Sequence, residues 1–327
     1  VLFRSIDELN INSRQKSAAV VVLIGSIAAL IYYVPQSSIA GLWLEENYKR
    51  NYTFGSLACS VLGFMEGGRG TYGLEYSYDD EMTGTDGREY TYVNSDNVVE
   101  TVRKEAENGA SIKLSLDYNI QNVVEEKIDK FIKSNPSQNV GVIVQDPNTG
   151  AVLAMADSNT FNCNAPRDMS IHYSSQELSA MTDQEQVDAL TKMWTNYCIT
   201  ADYEPGSTFK PFTLAAGLEE DKVRMDDRYF CGGALQFLDA TVQCHITSGH
   251  GELDTAGAIA ESCNVALMEM SQKIGAELFC KYQRKFGFGQ YTGIDLPNER
   301  SCAGLLYDES MSVLDLARSE ERRVGKE

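Results

Sequence analysis

A hydroxyl and an amine three residues apart, Ser207 and Lys210 in Ser207-Thr208-Phe209-Lys210, form a pair suited to covalent chemistry. Helical spacing puts them one turn apart on one face, so the amine can take the hydroxyl proton and free the oxygen to attack a carbonyl. Pro205 and Gly206 just ahead suit a helix start, where outward-pointing N–H groups and the helix dipole favour a developing oxyanion. Four residues recur by chance, and the tetrad alone also fits an exposed serine and a solvated lysine on an ordinary amphipathic helix. Further along, Glu261-Ser262-Cys263-Asn264 sets a hydroxyl and a carboxamide two residues apart. On a turn or helix start, Ser262 and Asn264 can enter one cleft and hydrogen-bond an amine and a substrate amide together.

Competing chemistries fit less well. The histidines are His172, His245 and His250, and none has a catalytic context beside Ser207, so Lys210 is the base if the chain is an enzyme. Gly68-Arg69-Gly70-Thr71-Tyr72-Gly73 matches a dinucleotide-binding pattern, but that mechanism needs a helix directly after the glycines. Leu74 to Tyr78 reads as strand instead, and the glycines read as a turn. With 47 acidic against 28 basic side chains, the net charge of −19 repels phosphate backbones and excludes nucleic acid as a partner.

The elements that must position these groups follow from pattern. Residues 35–110 are rich in Tyr, Gly and acidic residues, as in a loop-rich module of helices and short strands. Ile120, Val123, Val124, Ile128, Phe131 and Ile132 recur at helical spacing until Asn135-Pro136. Val140 to Gln145 and Ala151 to Ala156 are apolar runs joined by Asp146-Pro147-Asn148-Thr149-Gly150, which predicts a hairpin. A helix is expected over Gln176 to Met193, and helices over 207–219 and 255–275 carry the two motifs. Phe209, Phe212, Leu214, Leu218, Val265, Met268 and Ile274 are their expected core residues. The fold class is α+β.

Ser-x-x-Lys followed by Ser-x-Asn is the motif order of the penicillin-recognising acyltransferases, and at this point the chain resembles the class B penicillin-binding proteins, the D,D-transpeptidases that cross-link peptidoglycan. Asn47 to Tyr52, Leu57 to Phe64 and Gly70 to Tyr76 resemble that family's non-catalytic pedestal. Leu116 to Gln121, Lys285-Phe286-Gly287-Phe288-Gly289 and Thr292 to Pro297 resemble its catalytic domain. Phe230-Cys231-Gly232 and Gly249-His250-Gly251 are most similar to division and sporulation members from Gram-positive anaerobes. The resemblance implies a catalytic core with an antiparallel sheet and helices on both sides, incomplete here, preceded by a pedestal and a transmembrane helix. It implies catalytic roles for Ser207, Lys210, Ser262 and Asn264. The implied partners are peptidoglycan stem peptides, β-lactam antibiotics, the membrane and a glycan polymerase, and no cofactor or metal is expected. A serine β-lactamase, a β-lactam sensor and an inactive cell-wall assembly scaffold are the alternatives.

Residues 18–34 form an uncharged run behind Arg14 and Lys16, the length and flank of a single-pass anchor with everything after it extracytoplasmic. A buried core helix is the other reading. The expected domains are an anchor at 1–35, a pedestal at 36–112 and a transpeptidase domain at 113–318. Residues 1–5 and 319–327 resemble translated adapter sequence and are set outside the fold. The family's third motif, K-T-G or K-S-G on a strand, is not found, so the chain as written is expected to be an inactive fragment. Cys231 and Cys244, followed by His245 and His250, raise a zinc site, but the paired C-x-x-C knuckle is missing. An extracytoplasmic Cys231–Cys244 disulfide, contributing about 3 kcal/mol, is preferred, with two reduced buried cysteines as the alternative. The other cysteines, Cys263 among them, are expected to be apolar fillers.

Overall fold

The computed structural model describes residues 49–135, 139–237 and 240–317. The apolar run at 18–34 and the tails at 1–5 and 319–327 lie outside the described residues, and among the described residues no helix is long and apolar enough to cross a membrane. The chain divides into two units, 1–51, described only at residues 49–51, and 52–327, whose fold follows.

The second unit opens with a short helix α1 (Cys59–Leu62) and a small hairpin, β1 (Met65–Glu66) and β2 (Arg69–Gly70). Gly67 and Gly68 join the strands with φ of 62° and 81°, the two left-handed positions of a two-residue turn that twists with its strands. The glycines are thus a turn, as their pattern suggests. The strand expected over Leu74 to Tyr78 is instead a helix, α2 (Gly73–Ser77), followed by α3 (Asp79–Met82). Its five residues put Leu74 in a core with Val61 and Met155, and that burial outweighs the strand preference of the tyrosines. A solvent-facing hairpin of β3 (Arg88–Val93) and β4 (Val99–Lys104) completes this stretch.

Helix α4 (Tyr118–Ser134) starts where the Asp117 side chain accepts the N–H groups of Asn119 and Ile120. Its inward face is narrower than the periodicity suggests: Ile128 is buried, while Val123 and Phe131 are exposed. The polar Gln121 fills the gap, 1% exposed, its Oε1 accepting from the Met155 N–H and its Nε2 donating to the Met155 carbonyl, both at 2.9 Å. Met155 lies in β6 (Val152–Asp157), which pairs antiparallel with β5 (Gly141–Gln145) through the expected turn. This ladder stands where the antiparallel catalytic sheet is expected.

Two helices replace the one expected over Gln176 to Met193. α5 (Ser175–Ala180) and α6 (Asp183–Trp194) are each started by a capping box, Ser174 with Glu177 and Thr182 with Glu185, and the second cap breaks the run. After α7 (Tyr197–Thr200), a 3-10 turn (Gly206–Phe209) leads directly into α8 (Lys210–Glu219). β7 (Arg228–Cys231) pairs with the distant β10 (Gly251–Asp254), enclosing the hairpin of β8 (Ala234–Phe237) and β9 (Ala240–Gln243). The single helix expected over 255–275 is two, α9 (Thr255–Ala260) and α10 (Asn264–Lys285), and α10 itself breaks at Gly275. α11 (Val313–Ala317) packs on α10.

Buried clusters join segments far apart in sequence. Phe64 stacks on Tyr72 and meets Phe161 and Trp194, with ring centroids 5.1–5.8 Å apart. Residues on either side of position 112 therefore share one core. Val265, Met268 and Ile274 are buried as expected, whereas Leu218 is 37% exposed because it sits at the solvent side of α8 near its end.

Candidate active site

The 3-10 turn is what brings the first pair together. Residues three apart eclipse in such a turn, so Ser207 and Lys210 leave the backbone on one side. The Lys210 N–H also donates to the Ser207 carbonyl, closing the turn. Phe209, between them, is the anchor: 3% exposed, its ring lies 5.1–5.7 Å from those of Phe212, Phe279 and Phe288. With Phe209 pinned in that aromatic group, Ser207 stays exposed while Lys210 turns inward to 3% exposure.

The buried amine meets the second motif. Lys210 Nζ donates to the Ser262 carbonyl at 2.8 Å, to Ser262 Oγ at 3.0 Å and to Asn264 Oδ1 at 2.7 Å. Three acceptors from one three-residue segment satisfy a side chain that would be costly to bury alone. The segment owes its shape to how α9 ends. The Cys263 N–H bonds the Ala258 carbonyl and the Ser262 N–H bonds the Ile259 carbonyl, the paired closure of a Schellman motif. The residue at its left-handed position is ordinarily glycine; here it is Ser262, at φ 49°. Next, Cys263 caps α10 and Asn264 is its first residue. The structure thus brings Lys210, Ser262 and Asn264 into direct contact and places Ser207 one turn from Lys210.

Behind this segment lies a group that the sequence pattern named only in part, as Cys231, Cys244 and His250 without Cys263. Cys231, Cys244, His250 and Cys263 have their ligand-type atoms within 4.8 Å of one another. Cys231 and Cys244 are free thiols, so the preferred disulfide is not formed, and Cys263 is part of this cluster rather than a mere filler. Burial disfavours the Cys244 thiolate, but backbone N–H groups of Ile246, Asn264 and Val265 and the Cys231 thiol outweigh it and hold that thiol below its ordinary range. The signal was not a knuckle but strand pairing: Cys231 lies opposite Gly251, the neighbour of His250.

A cavity of about 770 Å³ lies elsewhere, lined by Leu116, Val152, Ile199, Ile294 and Leu296 among others, and none of the four site residues borders it. Tyr78 donates to Asp295 at 2.5 Å at its rim. The site is defined by its polar contacts rather than by this hollow.

Residues 140–312, more than half of the chain, match the family described as the penicillin binding protein transpeptidase domain. Stage V sporulation protein D of Bacillus subtilis is 31% identical over 82% of this chain and 39% of its own length. The chain belongs to the class B penicillin-binding proteins. The peptidoglycan D,D-transpeptidase FtsI of Escherichia coli is 26% identical to this penicillin-binding protein over 88% of the chain and 45% of the relative. The crystal structure of penicillin-binding protein 3 from Mycobacterium tuberculosis complexed with ampicillin superposes with a TM-score of 0.65 at 30% identity, covering 84% of this chain and 54% of that one. The chain spans less than half the length of these curated relatives. The chain therefore has a penicillin-binding protein transpeptidase fold of mixed helices and strands.

Proposed function

We propose that this penicillin-binding protein is a peptidoglycan D,D-transpeptidase working through a serine acyl-enzyme. One observation carries the reading: a buried Lys210 amine held at 2.7–3.0 Å by Ser262 and Asn264, one 3-10 turn from an exposed Ser207. Ser207 Oγ attacks the carbonyl of the penultimate D-Ala of a stem peptide while Lys210 takes its proton. Ser262 Oγ, in contact with Nζ, relays that proton to the departing D-Ala amine. An amine of a second stem peptide then attacks the ester and regenerates Ser207. Asn264, sharing its carboxamide between Nζ and the substrate amide, orients the acyl chain. β-Lactams present a strained amide to the same hydroxyl and stop at the acyl stage. Relatives whose names give this activity or an antibiotic complex support the reading.

The remaining placements belong to the same proposal. Residues 36–112 act as the pedestal and 113–318 as the transpeptidase domain. Residues 18–34 anchor the protein in the membrane with the catalytic part outside, beside a glycan polymerase; the uncharged run behind Arg14 and Lys16 supports this.

Labelling of the full-length protein with a fluorescent penicillin tests the assignment. The wild type is expected to carry a covalent label and Ser207→Ala to carry none, with the variant's melting transition retained. Undiminished labelling of the folded variant would remove Ser207 from its role.

A further inference from the structure

Ser207 is exposed, and the chain reaches it through residues 201–205, which form neither helix nor strand. Gly206, the last link, stands at φ 54°, and a Cβ placed there would meet nothing within 4 Å. Such a glycine sets no direction by itself, so the approach to Ser207 has to be aimed from outside. Beyond Ser207 the turn is pinned by Phe209, whose ring packs 5.1 Å from that of Phe288. The loop that carries Phe288 also reaches the near side. Residues 286–302 follow α10 without helix or strand, yet they are tied from within and from below. The Thr292 N–H donates to Glu299 Oε1 at 2.7 Å, Ser301 Oγ donates to the Gly289 carbonyl at 2.6 Å, and Leu296 is buried with Val61 and Met155. From this base Arg300 makes two contacts ahead of Ser207. Its N–H donates to the Ile199 carbonyl at 3.0 Å, and its Nε lies 3.3 Å from Asp202 Oδ2. The Asp202 side chain is 5% exposed, and Oδ2 is buried with no hydrogen-bond partner among the described residues. The half-exposed guanidinium is thus the counter-charge that makes this burial tolerable.

We propose, resting on the acyl-transfer reading, that Arg300 is a positioning residue for Ser207: through Asp202 it fixes the approach to the nucleophile, while Phe288 of the same loop fixes the exit. A loop that grips the segment on both sides aims the Ser207 oxygen and leaves it uncovered for attack. Displacing a reacting atom by about 1 Å costs on the order of 100-fold in rate, so loss of one of the two ties should cost about tenfold. Stability separates this role from a merely structural one. Arg300→Gln leaves the Asp202 carboxylate buried without its counter-charge and should destabilise the fold. Asp202→Asn removes the buried charge and frees a guanidinium that water already reaches, so it should stay close to the wild type in stability. Both variants lose the same contact and should lose the same aim.

The test follows acylation of the full-length protein by a fluorescent penicillin over a range of concentrations, which separates the noncovalent dissociation constant from the acylation rate. Denaturant unfolding and amide hydrogen exchange are measured alongside. Asp202→Asn and Arg300→Gln are each expected to lower the acylation rate about tenfold, with the dissociation constant within about twofold of the wild type and exchange raised at residues 201–207. The double variant should be no slower than the slower single one, because both remove one contact. Arg300→Lys, which keeps the charge, should recover part of the rate. Arg284→Gln, on the surface beside Glu309, should be acylated as the wild type is. Should Arg300→Gln fail to fold, Asp202→Asn carries the comparison, since slower acylation at unchanged stability is a result that a merely structural contact would not give. An acylation rate at the wild-type level in Asp202→Asn overturns the proposal, as do losses that add in the double variant. A wild type that takes no label removes the acyl-transfer reading instead. The exchange measurement then decides by itself whether Arg300 holds residues 201–207, and unchanged exchange there overturns it.

Discussion

Ser262 occupies a backbone conformation that disfavours every side chain except glycine and, less so, asparagine and aspartate, and it does so while giving both its carbonyl and its hydroxyl to Lys210. A strained residue persists where its side chain does something glycine cannot. The two contributions can be separated. Ser262→Ala and Ser262→Gly both lose the hydroxyl, so both should be acylated by penicillin more slowly. Only alanine retains the left-handed penalty, so the glycine variant should be the more stable of the two by about 1–2 kcal/mol in denaturant unfolding. Equal stabilities would mean that the turn carries no strain. That Lys210, Ser262 and Asn264 meet, with Ser207 one turn away, was legible from type and order alone, because Ser-x-x-Lys and Ser-x-Asn each place two functional groups within one turn. Ser262's conformation was not, since nothing in Glu261-Ser262-Cys263-Asn264 advertises a helix end without glycine. The thiol cluster was legible only in part: Cys231, Cys244 and His250 raised a metal site by their nearness in sequence, but Cys263 joins them through the pairing of β7 with β10 and the turn before α10, which local spacing cannot announce.

At the scale of elements, periodicity found helices and the turn residues found the hairpin, while the breaks came from local chemistry that periodicity averages over. A run read as continuous from Gln176 to Met193 stops because Thr182 and Glu185 satisfy each other's backbone N–H groups better than another helical turn would. α10 shows the consequence for the site. Its first half carries Asn264 and the core residues Val265, Met268 and Ile274; its second half carries Phe279, which packs on Phe209 of the 3-10 turn that carries Ser207. Gly275 joins the halves at φ 81° and ψ 163°, a region that only glycine enters without strain. A methyl group added there would meet nothing within 4 Å, so the cost of Gly275→Ala is backbone strain alone. That variant should lose about 1–3 kcal/mol of stability, read from the denaturation midpoint. If the midpoint is unchanged, α10 can straighten without disturbing Phe279, and the break is not what aligns its halves.

Over the whole unit, stability depends on groups that tie early residues to the strand pair β5 and β6, and Asp157 is the one with a sign that can be measured. It ends β6, 3% exposed, accepting hydrogen bonds from the N–H groups of Asn159 at 2.7 Å and Tyr197 at 3.0 Å and from the side chain of Ser60. Burial dominates over those donors and lifts its carboxyl from an ordinary 3.8 to about 6. A carboxyl raised on folding binds its proton more tightly in the folded state, so its stabilising contribution is complete below pH 3.8 and declines as pH climbs through about 6. At neutral pH the ionised, buried group should leave the protein about 3 kcal/mol less stable than linkage to the neutral acid would. Paired surface carboxylates such as Glu66 and Asp227, both held below their ordinary values by Arg167 and Lys273, slope the other way and mask this in the wild type alone. The comparison with Asp157→Asn cancels them. Between about pH 4 and pH 7 the unfolding free energy of the wild type should fall relative to that of the amide variant, by an amount approaching the figure above. Two curves that stay parallel across that window would place the Asp157 carboxyl at an ordinary value and take its burial out of the molecule's pH response.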